Sequence, residues 1–285
     1  MSEEIVPLSV TRGGVTLSGE ESGGGPNATA VVLLHGLTAT RRYVVMGSRS
    51  LQRTGHRVIA YDARGHGRSS PAPAPSEYGY ERLAADLEAV LDAAGAERAL
   101  LAGASMGAHT AVRFALESPA RVAALVLITP AFDPAAAGSG RELARWDALA
   151  QGLREGGVEG FVRAYDLDSV PERWRETVAT VLRQRLSAHE HPQALADALH
   201  AVPRSRPFEA FEQLGEIDVP ALVVGSRDEA DPGHPLATAE RYAEAIPGAR
   251  LLVEDAGPPV PSPIAWQGGA LSRLIAGLSD EVGMR

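Results

Sequence analysis

No cysteine occurs in the 285 residues, so the chain can form neither a disulfide nor a thiolate metal site. No lysine occurs either; all 27 basic side chains are arginines, which, with abundant Ala, Gly and Pro, is the composition of a GC-rich bacterial coding sequence. A net charge of -9 leaves no concentrated positive surface of the kind a phosphate backbone requires, which excludes nucleic acid as a partner. No apolar run approaches the ~20 residues of a membrane span. Met1-Ser2-Glu3-Glu4 lacks the positive and apolar segments of a secretory signal, so the expectation is a soluble cytoplasmic protein. No Gly-rich dinucleotide motif follows a strand, and His189-Glu190-His191 is too close-set for the i, i+4 pair of a helical zinc site; no cofactor or metal is expected. The last absence bears most on function: no histidine follows His234.

What is present alternates. Short aliphatic runs at 30–34, 57–61, 99–103, 123–128, 221–225 and 250–253 read as strands, each ending near Gly, Asp or Pro. Helix-like stretches at 80–94, 106–117, 235–246 and 265–278 lie between them. Such alternation makes a mostly parallel sheet with helices on both faces. Residues 5–10 and 15–19, around Gly13-Gly14, read as a leading antiparallel hairpin. From 131 to 211 the alternation stops, and an Arg-rich helical pattern with Trp146, Phe161, Tyr165 and Trp174 takes over. Ligands of open α/β sheets bind beyond the C-terminal strand ends. The expected organisation is a core of 1–130 and 212–285, with 131–211 as a helical cap over that edge.

Leu100-Leu101-Ala102-Gly103-Ala104-Ser105-Met106-Gly107 joins an apolar run to a helix through Gly-x-Ser-x-Gly. This is the pattern of a nucleophile elbow, in which a strained turn lifts a serine hydroxyl clear of the sheet. Glycine at 103 and 107 allows the close backbone packing this needs. Three further motifs occur in register with it: Leu33-Leu34-His35-Gly36-Leu37, Tyr61-Asp62-Ala63-Arg64-Gly65-His66-Gly67-Arg68-Ser69, and Gly225-Ser226-Arg227-Asp228 followed by Pro232. Together they resemble the α/β-hydrolase fold, over nearly the whole chain. The resemblance implies that fold, with Ser105 as nucleophile, Asp228 as triad acid, and the backbone amides of Leu37 and Met106 as an oxyanion hole.

The chain departs from the pattern after the last strand. Leu251-Leu252-Val253-Glu254-Asp255-Ala256-Gly257-Pro258 places proline where the family carries its catalytic histidine. Proline has no titratable group, and a serine without a base is a poor nucleophile. His35 and His66 match scaffold positions, His109 points into packing, and His56 precedes a strand far from the site. His189, His191 and His200 lie in the cap region. His234 shares a loop with Asp228 and is the candidate base, against the plainer reading of a loop residue before a helix start at Pro235. Asp231 is an alternative acid on the same loop; the cap arginines could recognise carboxylates or phosphates, but the interspersed glutamates make a solvated helix face the safer reading.

Three functions are consistent with these residues. One is hydrolysis of an ester, thioester or lactone through Ser105 and a relocated base. A second is a non-hydrolytic biosynthetic isomerase, epimerase, lyase or cyclase using the oxyanion amides. A third is a catalytically silent protein binding a small molecule or peptide. With Pro258 in the histidine position, the expectation is weak reaction with a fluorophosphonate and poor turnover of simple esters.

Overall fold

The computed structural model describes residues 5–25, 28–254 and 267–283. Eight strands form one sheet: β1 (Ile5–Arg12), β2 (Val15–Ser22), β3 (Ala30–Leu34), β4 (Arg57–Tyr61), β5 (Ala99–Ala104), β6 (Val122–Ile128), β7 (Ala221–Gly225) and β8 (Arg250–Val253). Their order across the sheet is β1-β2-β4-β3-β5-β6-β7-β8. β1 and β2 are the expected hairpin, and β2 joins β4 antiparallel; every other pairing is parallel. β3, β4 and β7 are buried along their whole length, as strands covered on both faces must be.

The helices are α1 (Ser50–Arg53), α2 (Tyr80–Ala93), α3 (Met106–Glu117), α4 (Gly140–Ala164), α5 (Glu172–Leu186), α6 (Pro192–Ala201), α7 (Leu236–Ala245) and α8 (Gly268–Glu281). Leu87 and Val90 of α2, Ala108 and Val112 of α3 and Tyr242 of α7 fill one face of the sheet. Leu51 of α1 and Leu271, Ile275 and Leu278 of α8 fill the other. Among the described residues the interval 131–211 holds no strand. α4 kinks at Gly157, whose φ is 58°, and folds back so that Gly152 and Gly160 meet backbone to backbone. A third core joins α4, α5 and α6 to the loops at the C-terminal strand ends, through Leu149, Phe161, Leu182 and Leu195 on one side and Leu37, Met106 and Ala230 on the other. The helical layer is thus seated over the edge where the motifs lie.

The Tyr61–Ser69 turn is held from beneath. Arg64 makes a bidentate pair with Asp86 of α2, both bonds 2.7 Å and both side chains 1% exposed. Asp62 accepts from the Arg41 and Arg68 amides at 2.9 and 3.1 Å. No described helix is long and apolar enough to cross a membrane.

Candidate functional site

Ser105 stands between β5 and α3 with φ 48° and ψ -113°, a region that an L-residue enters only when its surroundings impose it. Here they do. The Ser105 amide donates to Ile128 O of β6 at 3.0 Å, and the Ser105 carbonyl accepts from His109 N in α3 at 3.0 Å. The flanking glycines leave no slack. A Cβ on Gly103 would lie 2.3 Å from the Gly107 carbonyl carbon, and one on Gly107 would lie 2.1 Å from Leu34 O. Thr129, at the end of β6 in the same cavity, also has positive φ, at 41°.

The Gly36-Leu37-Thr38 loop runs beside this elbow. A Cβ on Gly36 would lie 3.6 Å from Ser105 Cβ. Three imidazoles face its three consecutive carbonyls. His35 Nδ1 donates to Gly36 O at 2.8 Å while its Nε2 accepts the Ala63 amide at 2.9 Å. His66 turns Nε2 to Leu37 O at 2.8 Å and Nδ1 to Arg64 O at 2.9 Å, and the single N–H of the neutral ring serves one of the two. His189, from the segment between α5 and α6, accepts the Gly67 amide on Nδ1 at 3.0 Å and turns Nε2 to Thr38 O at 3.3 Å. Burial lowers the pKa of all three, His35 and His189 to about 3, so they remain neutral scaffold. Among the described loop and turn hydrogen bonds, neither the Leu37 nor the Met106 amide is given to a backbone carbonyl. Both residues line the cavity above Ser105, and Met106 opens α3, where the first amides have no intrahelical acceptor.

His234, the candidate base of the sequence, lies beside Ser105. His234 Nε2 lies 2.8 Å from Ser105 Oγ. His234 Nδ1 lies 2.8 and 2.9 Å from the two carboxylate oxygens of Asp231. An ionised Asp231 holds the proton on Nδ1, which leaves the Nε2 lone pair to accept the serine proton. The loop after β7 delivers both groups by two successive turns, Asp231 N donating to Asp228 O at 3.1 Å and His234 N to Asp231 O at 3.2 Å. Glu254, at the end of β8, accepts from Ser226 Oγ at 3.1 Å and from Arg227 N, which fixes the start of the loop. Trp174 Nε1 of α5 donates to Glu229 at 3.0 Å and braces its middle.

Asp231, not Asp228, faces the imidazole; Asp228 Oδ1 accepts the Ala230 amide at 2.9 Å and shapes the turn. Pro258 lies outside the described residues. The chain order serine, aspartate, histidine is kept, with only Pro232 and Gly233 between the last two. Burial disfavours the charged form of His234, but the Asp231 charge and hydrogen bond outweigh it, and the pKa lies above the ordinary 6.5. Burial likewise opposes ionisation of Asp231, and His234 reverses this, holding it below the ordinary 3.8. Both line the cavity, the His234 side chain a quarter exposed and that of Asp231 nearly half.

The other histidines have other partners. His109 accepts the Ala131 and Phe132 amides on Nε2 at 3.0 Å each and meets the Tyr80 hydroxyl at 2.9 Å; burial brings its pKa to about 3. His56 is bound within its own loop, and His200 pairs with Asp147. His191 precedes α6 and does not line the cavity. The cavity itself measures about 610 Å³ and runs from Ser105 up to α4 and α5.

Residues 29–260 match the family model described as the alpha/beta hydrolase fold. The chain is 32% identical over 244 residues to 2-hydroxy-6-oxononadienedioate/2-hydroxy-6-oxononatrienedioate hydrolase 2 of Pseudomonas putida, covering 80% of each chain. It is 31% identical over 237 residues to the protein named RutD of Rhizobium rhizogenes, a carbamate hydrolase by name, covering 81% of this chain and 86% of that one. Among solved structures, a thermophilic esterase from Thermogutta terrifontis with malate bound superposes with a TM-score of 0.73 at 25% identity, over 98% of both chains. With that match over 29–260 and relatives named as hydrolases across four fifths of its length, the chain belongs to the α/β-hydrolase-fold family of enzymes.

Proposed function

We propose that the protein hydrolyses an ester, thioester or lactone of a small molecule, with Ser105 as nucleophile, His234 as general base and acid, and Asp231 as the group that orients the imidazole. One observation carries this reading: the unbroken Ser105–His234–Asp231 hydrogen-bond chain. In the reaction, His234 Nε2 takes the Ser105 proton as Oγ attacks the carbonyl carbon. The tetrahedral oxyanion turns to the Leu37 and Met106 amides, each donor worth roughly 3–4 kcal/mol. The proton then passes from His234 to the departing alcohol, thiol or ring oxygen, and water repeats the cycle on the acyl-enzyme. The helices of 131–211 act as a cap on the core of 1–130 and 212–285, closing the cavity over the substrate.

The isomerase, lyase and silent-binder readings drew their support from the lack of a base, and His234 supplies one. The comparisons do not choose a substrate, since relatives of like identity are named for carbamates and for oxononadienedioates. A fluorophosphonate should label the protein at Ser105, located by peptide mass, and the protein should turn over short nitrophenyl esters. His234→Ala should lower turnover by roughly 10⁵- to 10⁶-fold with folding unchanged. A protein that neither labels nor loses turnover in His234→Ala is not this hydrolase.

A further inference from the structure

The helices over the cavity carry eight arginines between 141 and 185, and the structure sorts them. Arg154, Arg173, Arg175 and Arg183 are spent on Asp197, Glu229, Asp168 and Glu159. Of the rest, only Arg145 of α4 and Arg185 of α5 line the cavity that contains Ser105. Neither has a carboxylate within ion-pair distance among the described residues. Arg185 sits in the last turn of α5, two residues beyond Arg183, which faces out to Glu159. Arg185 instead turns in, its guanidinium carbon 5.5 Å from the ring centre of Tyr43. That contact takes none of its N–H donors, and its Nε is buried without a hydrogen-bond partner. Arg145 reaches the loop of the proposed base, with Nη2 4.0 Å from where a Cβ on Gly233 would stand.

We propose that Arg185, with Arg145, forms a subsite for a carboxylate carried by the substrate at the end remote from the bond that is cleaved. This rests on the hydrolase reading only for the word substrate; the anion site is a property of the cavity. Of the acids on the cavity wall, Asp133 is matched by Arg241, Glu142 lies near Arg145, and Asp231 feels the charge of both arginines without reaching ion-pair distance of either. With those acids nearby, a singly charged carboxylate suits the two guanidiniums better than a phosphate dianion. The planar N–H edge of a guanidinium matches two carboxylate oxygens. Filling the subsite also acts on the base, since both arginines pull the His234 pKa down and a bound carboxylate relieves that pull.

The test uses Ser105→Ala protein and calorimetric titration with two soluble ligands, monobenzyl glutarate and the ester in which its free acid is replaced by a carboxamide. The acid should bind at least tenfold more tightly than the amide, and adding Arg185→Ala should remove most of that preference. Arg185→Lys, which keeps the charge but not the paired donors, should retain part of it. Equal binding of acid and amide to the Arg185-containing protein overturns the proposal without reference to any variant. So does a preference that survives Arg185→Ala, or tighter binding of a phosphonate of the same length. Because binding is read without turnover, failure of Ser105 to react with a fluorophosphonate removes the hydrolase and leaves the subsite standing.

Discussion

At the scale of single residues, the division of labour between two aspartates is the sharpest consequence of the structure. Among the described residues Asp231 faces His234 Nδ1, while Asp228 accepts a backbone amide of its own loop. Asp231→Asn should lower kcat by roughly 10⁴-fold, because the amide no longer holds the imidazole in the tautomer that accepts from Ser105. Asp228→Asn keeps an oxygen for Ala230 N and should cost no more than about tenfold. Equal losses in steady-state turnover of a nitrophenyl ester would make Asp228 the acid after all. The same geometry fixes the acid limb of the pH profile. The base works only when neutral, and Asp231 raises the His234 pKa above 6.5, so kcat/KM should fall as pH drops through a value above 6.5. In Asp231→Asn burial acts unopposed, and the residual activity should have its acid limb displaced to lower pH. A limb that stays in place would show that another group titrates.

At the scale of elements, the sheet was legible because its strands are short aliphatic runs that end on Gly, Asp or Pro, and that pattern has few other uses. The elbow was legible for a steric reason. Only a residue without a side chain fits between β5 and α3, where Gly103 and Gly107 nearly touch, and between α3 and β3, where Gly107 faces Leu34 O. Gly103→Ala should therefore destabilise the protein by the upper end of the roughly 1–3 kcal/mol that overpacking costs, or prevent folding, read as a lower urea midpoint with unchanged slope. An unchanged midpoint would mean the elbow yields far more than its geometry allows. The pairing of His234 with Asp231 in place of Asp228 was harder to read, although its signal is local. Asp231-Pro232-Gly233-His234 is a β-turn tetrapeptide with proline at its second position, and such a turn sets its first and last residues side by side. Three residues apart, an acid and a histidine in that frame are within hydrogen-bond reach before any tertiary contact forms. The helices of 131–211 were visible as helical pattern but not as individual bounds. Their packing depends on the Gly157 kink and on contacts with Leu37, Met106 and Ala230 that lie far away in sequence.

At the scale of the whole molecule, the histidines that build the site also set how the fold responds to acid. His35, His109 and His189 are 3%, 5% and 8% exposed, and burial brings each to a pKa of about 3. In the unfolded chain each returns to about 6.5. Between those values the unfolded state binds protons that the folded state refuses, so stability is complete above about 6.5 and is lost as pH falls toward 3. At pH 5 each imidazole costs roughly 2 kcal/mol, and the three together roughly 6 kcal/mol. That is comparable with the entire folding free energy of a domain, about 5–15 kcal/mol. His234 acts in the opposite sense: its raised pKa adds stability below 6.5 that fades as pH rises through its folded value, but burial limits the shift and one group does not offset three. The carboxylates held low by partners, Asp147, Glu159 and Glu229, deepen the loss at still lower pH. Urea unfolding at pH 7.5, 6 and 5 should show stability falling steeply over that interval, with the protein unfolding in acid before its carboxylates titrate. Three imidazole C–H resonances of the folded protein should stay unshifted down to the pH at which it unfolds. Stability that is level from pH 7.5 to 5, or three histidines that titrate near 6.5 in the folded state, would mean that His35 and His189 do not meet the Gly36 and Thr38 carbonyls, nor His109 the Ala131 and Phe132 amides, as neutral rings.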